Sequence, residues 1–273
     1  MTTARMSTAR QGNAVPEGVI DVGDGFFNLR GSFKIGGLLD VGTHASLVQR
    51  ASGGYVMLDA IGLTDAQRRF VDERTEGGRA LEAILHLHPF HTVSVEPMAR
   101  AYPGAKLYGT ARHHRKAPSL TWEPLHTDDP ALHARFADVL AFTVPRGVDL
   151  VPDNENVHFA SVIALHRASR TIHVDDTITY VRLPKLLRGI TPDVMRMHPM
   201  LRQALQPRAG AADELDDWLR ELVRFAEGAD NLCAAHSAVI LARSYDGAPI
   251  RDRVERATRK VRGTIDAHRA KYG

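Results

Sequence analysis

Cysteine is nearly absent, with Cys233 the single one in 273 residues. That excludes an intrachain disulfide and any multi-cysteine zinc finger, and it fits a reducing compartment. No stretch approaches the roughly 20 apolar residues of a membrane span. Residues 1–15 are polar, with Arg5 and Arg10, and lack the apolar core of a signal peptide. Together these absences predict a cytoplasmic protein with a flexible start over residues 1–15 and no membrane partner. A charge excess of one sign is also missing, since 35 basic residues face 32 acidic ones for a net +3. The pI of about 9.1 therefore overstates the basicity, and no nucleic-acid partner is expected. The densest basic stretch, residues 251–271, interleaves Asp252, Glu255 and Asp266, the pattern of a solvated helix face. Gly36-Gly37 and Gly53-Gly54 match neither a P-loop nor a dinucleotide fingerprint, and there is no Gly-x-Ser-x-Gly elbow and no internal repeat. A small-molecule substrate is the expected partner.

With 44% hydrophobic and 25% charged residues, the chain has the balance of a globular protein with one large core. Residues 27–33, 45–50 and 55–59 read as strands, the last two joined by a Ser52-Gly53-Gly54 turn. A helix follows from Thr64, a suitable N-cap, to Gly77-Gly78. Residues 81–87 read as a buried strand, 93–101 as a helix, 106–109 as a strand, and 130–137 as a helix behind Asp129. Strand character returns at 139–144, 156–166 and 170–178. Helices are expected at 191–205 and 211–226, a short strand at 232–235, and one long helix at 249–271. The main domain spans residues 16–245, carries a helical insertion at about 184–228, and is followed by a C-terminal helical segment at 246–273. Strands followed by strands mixed with helices predict an α+β arrangement, sheet packed on sheet with helices outside. The terminal helix packs back on the domain or makes a homodimer contact, and both readings stand.

Three imidazoles in Ala83-Ile-Leu-His-Leu-His-Pro-Phe-His91 stand where an apolar strand gives way to a loop. Alternation along a strand puts His86 and His88 on one side, and His91 can return from the turn toward the same point. Neutral imidazole is a common zinc ligand and also suits iron, so the segment is a start for a divalent-metal site. Three unpaired imidazoles at the end of a buried strand would be costly to desolvate, and a metal would supply their partner. His113, His114, His126, His133, His198 and His268 are expected at the surface. His173 faces either the site or the opposite layer. Trp122, Trp218 and the Met195, Met197, Met200 group are expected as core or pocket wall.

Tyr55-Val-Met-Leu-Asp-Ala60, the histidine segment, and Ala99-Arg-Ala-Tyr-Pro-Gly-Ala-Lys-Leu-Tyr-Gly109 together resemble the N-terminal half of the metallo-β-lactamase superfamily, whose strand ends in His-x-His-x-Asp-His. Farther on, Val157-His-Phe-Ala-Ser-Val-Ile-Ala-Leu165 is similar to the family's Gly-His-Thr-Pro-Gly-Ser strand. Arg170-Thr-Ile-His-Val-Asp-Asp-Thr177 is similar to its Gly-Asp strand, and Cys233-Ala-Ala-His236 to its late Gly-His segment. The order covers roughly residues 20 to 240, more specific than any one motif. The resemblance implies an α/β (α+β) four-layer αββα sandwich with mixed sheets and outer helices. It implies that His86, His88 and His158 hold a first metal and His91 and His236 a second. Asp176 would bridge them and orient or deprotonate the attacking water, with Asp175 the alternative after a one-residue shift. The implied cofactor is zinc, one ion or two, with iron or manganese as alternatives.

Phe90 stands where the family carries the aspartate of His-x-His-x-Asp-His, Phe159-Ala160 replaces Thr-Pro, and Ser237 follows His236 where Gly is usual. Loss of such a carboxylate can cost ~10- to 100-fold in affinity or activity. The metal is then single, or the pair is ligated differently. The activity implied is metal-dependent hydrolysis of a thioester, lactone or other ester-like bond. The alternatives are a degenerate metal- or small-molecule-binding scaffold of the same fold, and a non-haem iron redox protein. Residues 191–222 are expected to cap the pocket.

Overall fold

Two mixed sheets form the centre of the molecule, and strand alternation decides what lies on each side of them. The computed structural model describes residues 15–35, 39–181, 194–236, 238–244 and 247–273. The chain begins with β1 (Val19–Gly23) and β2 (Phe26–Gly31), then a small hairpin of β3 (Lys34–Ile35) and β4 (Leu39–Asp40), then β5 (Thr43–Gln49) and β6 (Tyr55–Leu58). A helix, α1 (Asp65–Arg74), crosses to β7 (Leu81–Leu85), and α2 (Val95–Ala101) crosses to β8 (Lys106–Tyr108). The first sheet runs β1-β2-β5-β6-β7-β8, antiparallel up to β6 and parallel from β6 to β8. Helices α3 (Ala111–Lys116) and α4 (Pro130–Arg135) lead to β9 (Leu140–Thr143), β10 (Ile163–His166) and β11 (Thr171–Val174). Next come β12 (Ile178–Val181), β13 (Val194–Met197), α5 (Leu201–Ala204), α6 (Ala211–Ala226), β14 (Asn231–Ala234) and β15 (Val239–Ile240). The second sheet runs β15-β14-β11-β10-β9, with β11 and β14 parallel. Two helices, α7 (Ile250–Arg259) and α8 (Arg262–Tyr272), end the chain.

Successive side chains of a strand point to opposite faces, so each sheet feeds two cores. From β6, Tyr55 and Met57 pack outward with Phe70 and Val71 of α1 and Met98 of α2. Val56 and Leu58 point inward and meet Ala164 of β10 and Cys233 of β14 between the sheets. From β11, Ile172 and Val174 pack outward against Leu215, Trp218 and Leu222 of α6. The three cores separate four layers, helix, sheet, sheet, helix. The expected αββα sandwich is the observed one.

Local chemistry sets the boundaries of the elements. Thr64 and Gln67 form a reciprocal capping box that starts α1. Asp129 caps α4 with Pro130 in the first turn. In α6, Leu215, Trp218, Leu219 and Leu222 recur at helical spacing on the buried side. Gly147 is required as glycine: its φ is +72°, and a Cβ there would lie 2.0 Å from the Ala211 carbonyl oxygen at the start of α6.

Several expected elements are corrected. The strand expected at 156–166 shortens to β10, because upstream of it the backbone bonds loops instead: Ser161 N–H donates to Thr177 Oγ1 and Val162 N–H to the Leu87 carbonyl. The stretch at 170–178 splits into β11 and the start of β12. The helix expected at 191–205 is instead β13, paired with β12, followed by the four-residue α5. In β13 Met195 and Met197 are buried and Arg196 is exposed, a two-residue period that methionine's helix preference conceals. The part of the insertion at 184–193 lies outside the described residues, as do residues 1–14 of the expected flexible start. The remainder of the insertion supplies α6, which packs on the second sheet. The single terminal helix is two, α7 and α8, both lying against α6, with Arg262 and Arg269 paired to Asp216 of α6.

Trp218 is wholly buried and donates its indole N–H to Thr143 Oγ1 at 2.9 Å, tying α6 to β9. Trp218→Ala should cost about 3–5 kcal/mol of stability, read as a lower urea midpoint at unchanged slope. A loss within experimental error would show that α6 is not fastened to the sheet in this way.

Candidate metal centre

Four parallel strands, β6, β7, β11 and β14, end on the same side, and the residues just beyond them converge. Asp59 follows β6, His86 to His91 follow β7, Asp175 and Asp176 follow β11, and His236 lies two residues past β14. Asp59 has a φ of +57°, unusual for a residue with a side chain. Its wholly buried carboxylate accepts the Leu87 N–H at 2.8 Å through Oδ1 and the His88 N–H at 3.5 Å. The histidine loop is thereby held to the end of the neighbouring strand.

Asp176 is the hub of the outer part of the centre. Its Oδ2 lies 3.3 Å from His88 Nε2 and its Oδ1 lies 2.9 Å from His236 Nε2. Neither contact has hydrogen-bond alignment, so donor atoms are brought close without bonding one another. Single ligand atoms of His88, His91 and Asp176 all lie within 4.8 Å of one another. That convergence of imidazole and carboxylate is what a divalent ion requires. The His236 ring is already set for ligation: Nδ1–H donates to the Gly42 carbonyl at 2.8 Å, leaving Nε2 toward Asp176. His88 Nδ1 instead accepts the Phe90 N–H at 3.1 Å, so in the metal-free chain its proton sits on Nε2.

Burial opposes charge here; pairing outweighs it at His91, Asp176 and His236, whereas burial and the neighbouring Asp175 raise the Asp59 carboxyl. Hydrogen bonding and attraction from Asp175, with Asp176 and Asp59 nearby, push His91 up to about 9. The Asp176 carboxyl is held well below the usual range by His88 and His236, and Asp176 in turn raises His236. Among the described residues no lysine or arginine pairs with Asp59, Asp175 or Asp176, and histidines are their charge partners.

Two of the six residues carried over from the sequence lie apart from this group. His86 is fully buried with its ring 5.2 Å from that of His113 and 5.6 Å from that of Trp122, and neither nitrogen has a partner. Strand alternation continues through Leu85 and Leu87, both inward, and sends His86 to the other face. The turn at Pro89 redirects His88, so the two rings diverge. Burial drops His86 to about 3 and keeps it neutral. His158 is half-buried, bonded through Nε2 to the Glu155 carbonyl at 2.8 Å and stacked on Phe90 with ring centroids 4.3 Å apart. The Arg112 guanidinium lies 4.3 Å from the Phe90 centroid and pairs with Glu155 at 2.6 Å. Phe90 thus fills the ligand position with an apolar plate and anchors His158 beside it.

Other residues enter that the sequence did not mark. His44, Asn28 and Ser46, alternating inward from β5 and β2, meet His173 and Asp175 between the sheets. His113, expected at the surface, is completely buried against Trp122 and His86. His198, also expected outside, is half-buried, and burial lowers it against the opposing pull of Asp176. Cys233 faces the inter-sheet core, and burial pushes its thiol to about 12, which makes it inert.

No protein-family model matches the sequence, and no curated protein matches it significantly. Solved structures do match. A metallo-β-lactamase from Erythrobacter litoralis superposes with a TM-score of 0.57 at 11% identity, covering 89% of this chain and 96% of that one. DIM-1 metallo-β-lactamase exposed to ceftazidime gives 0.55 at 13% identity, covering 91% and 100%. This chain has the metallo-β-lactamase fold. FIM-1 from Pseudomonas aeruginosa in its mono-zinc form matches similarly, with a TM-score of 0.55 at 10% identity over 89% and 95%. At such identities the likeness establishes architecture, and the chemistry must be read from this chain's own side chains. On this fold, the histidine and aspartate side chains gather in groups that could hold a metal ion.

His91 binds its proton more tightly in the folded than in the unfolded chain, at about 9 against an ordinary 6.5. Its pairing with Asp175 therefore stabilises fully below pH 6.5 and is lost as pH rises through about 9. Urea unfolding of metal-free protein should show stability declining over that window. The decline should be shallower in His91→Gln. An identical slope in the variant would refute the assignment.

Proposed function

We propose that this chain is a metal-dependent hydrolase that cleaves an uncharged ester-like bond, a thioester, lactone or simple ester, with zinc as its ion and iron or manganese as alternatives. The observation that carries the reading is Asp176 set between His88 and His236, with the His236 ring oriented by Gly42. His88, His91, Asp176 and His236 would hold the ion, which supplies a Lewis acid that polarises a carbonyl and makes water more acidic at neutral pH. Asp176 stays ionised because its carboxyl is held far below the usual range, so it orients the attacking water better than it removes a proton from it.

The cleft beside these residues supports the substrate class. A cleft of about 130 Å³ is walled by Phe33, Ala60, Phe90 and Val93, with Ser32, Thr43, Ser94, His91 and His236 also lining it. Phe33 and Val93 are the exposed large hydrophobics among the described residues. No lysine or arginine lines this cleft among the described residues, which disfavours a phosphodiester or a carboxylate-bearing substrate. An apolar acyl portion would rest against Phe33 and Val93 with its carbonyl toward Asp176. The single buried Cys233 supports a reducing, cytoplasmic setting for this activity.

A second reading is favoured by the Phe90–His158 stack, in which catalysis is lost and a metal- or small-molecule-binding scaffold is left. Metal analysis of purified protein comes first, and protein that takes up no divalent ion would sink the hydrolase reading, while bound iron with redox turnover would replace it. A panel of thioesters, lactones and phosphodiesters with apolar and charged acyl groups then separates enzyme from scaffold. Turnover is expected for the uncharged apolar members, falling at least ~100-fold in Asp176→Asn and His236→Ala. Metal uptake with no turnover of any member would favour the scaffold.

A further inference from the structure

Arg30, near the end of β2, carries a half-buried guanidinium that the hydrolase reading does not use, and among the described residues no carboxylate pairs with it. Its Nη1 donates to the Ala234 carbonyl at 2.7 Å and its Nη2 to the Ala235 carbonyl at 3.0 Å. These carbonyls lie on the opposite sheet, at the last residue of β14 and the one after it, immediately before His236.

Ala234 and Ala235 are buried, and the pairing of β14 with β15 stops at Cys233. On the other edge the Ala235 N–H donates to the Val174 carbonyl of β11 at 3.0 Å. A buried carbonyl needs a donor, and this strand end obtains two from one side chain that reaches across from the other sheet. A guanidinium suits the task because its planar fork presents N–H groups at fixed spacing, whereas an ammonium is a point donor on a flexible stem. The base of the arm is fixed as well. Arg30 N–H donates to the Gly18 carbonyl at 2.7 Å, and the Arg30 carbonyl accepts from Nε2 of the wholly buried Gln67 at 2.8 Å. A Cβ on Gly42 would lie 3.7 Å from Arg30 Nη2 and 3.9 Å from the Ala235 oxygen. The fork and the Gly42 carbonyl that takes His236 Nδ1–H thus hold three successive residues from one side.

The charge of Arg30 works against the centre it adjoins. A guanidinium stays protonated, and Arg30 adds to burial and His173 in keeping His44 from charging. A cation so placed repels a metal ion and is costly to bury without a carboxylate. We propose, resting on the metal-centre reading above, that Arg30 is a positioning residue for the ion: by fixing the Ala234 and Ala235 carbonyls it sets the direction in which His236 leaves β14 toward Asp176. Charge and positioning then predict opposite signs. On charge alone, replacing Arg30 by a neutral residue strengthens metal binding, whereas through His236 it weakens it.

The test is the zinc affinity of the full-length protein, stripped with chelator and titrated with zinc against a chromophoric competitor, with no substrate present. Arg30→Met, which keeps the stem and loses both bonds, should bind zinc about 10-fold less tightly than wild type. Arg30→Lys, which keeps the charge and loses the fork, should also fall below wild type. Added to His236→Ala, Arg30→Met should cause no further loss. Zinc held by Arg30→Met as tightly as by wild type, or more tightly, would overturn the role. So would a second loss of about 10-fold in the His236→Ala background, which would make Arg30 a general support of the fold. Either result leaves the hydrolase reading standing, while a wild type that binds no zinc overturns both. Should circular dichroism show that Arg30→Met does not fold, Arg30→Lys decides, and an affinity equal to wild type rejects the anchor.

Discussion

The Asp59 carboxylate is the constraint on which the rest of the centre depends. One oxygen takes the backbone N–H groups that begin the histidine loop, and the other takes a proton donor from His173 on the opposite sheet. A single side chain thus clamps β6 to the loop after β7 and bridges the two sheets. It does so from a left-handed backbone position whose strain of about 1–3 kcal/mol persists only where surrounding bonds enforce it. Without this clamp the loop carrying His88 and His91 would have no fixed register against Asp175 and Asp176.

Layering turns that clamp into a site. Apolar side chains fill most of the space between the sheets, from Phe26 through Leu58 and Leu85 to Cys233. At the ends of the parallel strands the filling changes to carboxylates and imidazoles, where β6 and β7 in one sheet face β11 and β14 in the other. Ligands in α/β sheets commonly gather at such carboxyl ends, because the loops there are free to vary while the strands hold them still. The charge carried by three buried aspartates is met by histidines, which can exchange a proton for a metal ion. The apolar cleft of Phe33 and Val93 opens beside this charged interior, so an apolar and a polar surface adjoin there.

Phe90 illustrates how one substitution redistributes a constellation. In place of a carboxylate it offers an aromatic face, and His158 and Arg112 gather on it. A residue that could have faced the centre is thereby bonded to the Glu155 backbone instead. The change is visible in the sequence as a single letter, whereas its effect on His158 depends on a ring stack formed across 68 residues of chain.

By itself the sequence determined the layered α+β architecture, since the strand periods, the capping box at Thr64 and the turn glycines act through near neighbours. It also marked His88 and His91 at the end of an apolar strand and, through the family resemblance, Asp176 and His236, all four of which the structure brings to one place. Only the tertiary structure decided that His86 turns away toward Trp122, that β13 replaces an expected helix, and that the terminal helix breaks to pack on α6. Nor could His44, Asn28, Ser46 or Asp59 be singled out beforehand. Their roles arise from contacts between residues 16 to 131 positions apart, and such contacts are fixed by how sheets pack, which no local period records.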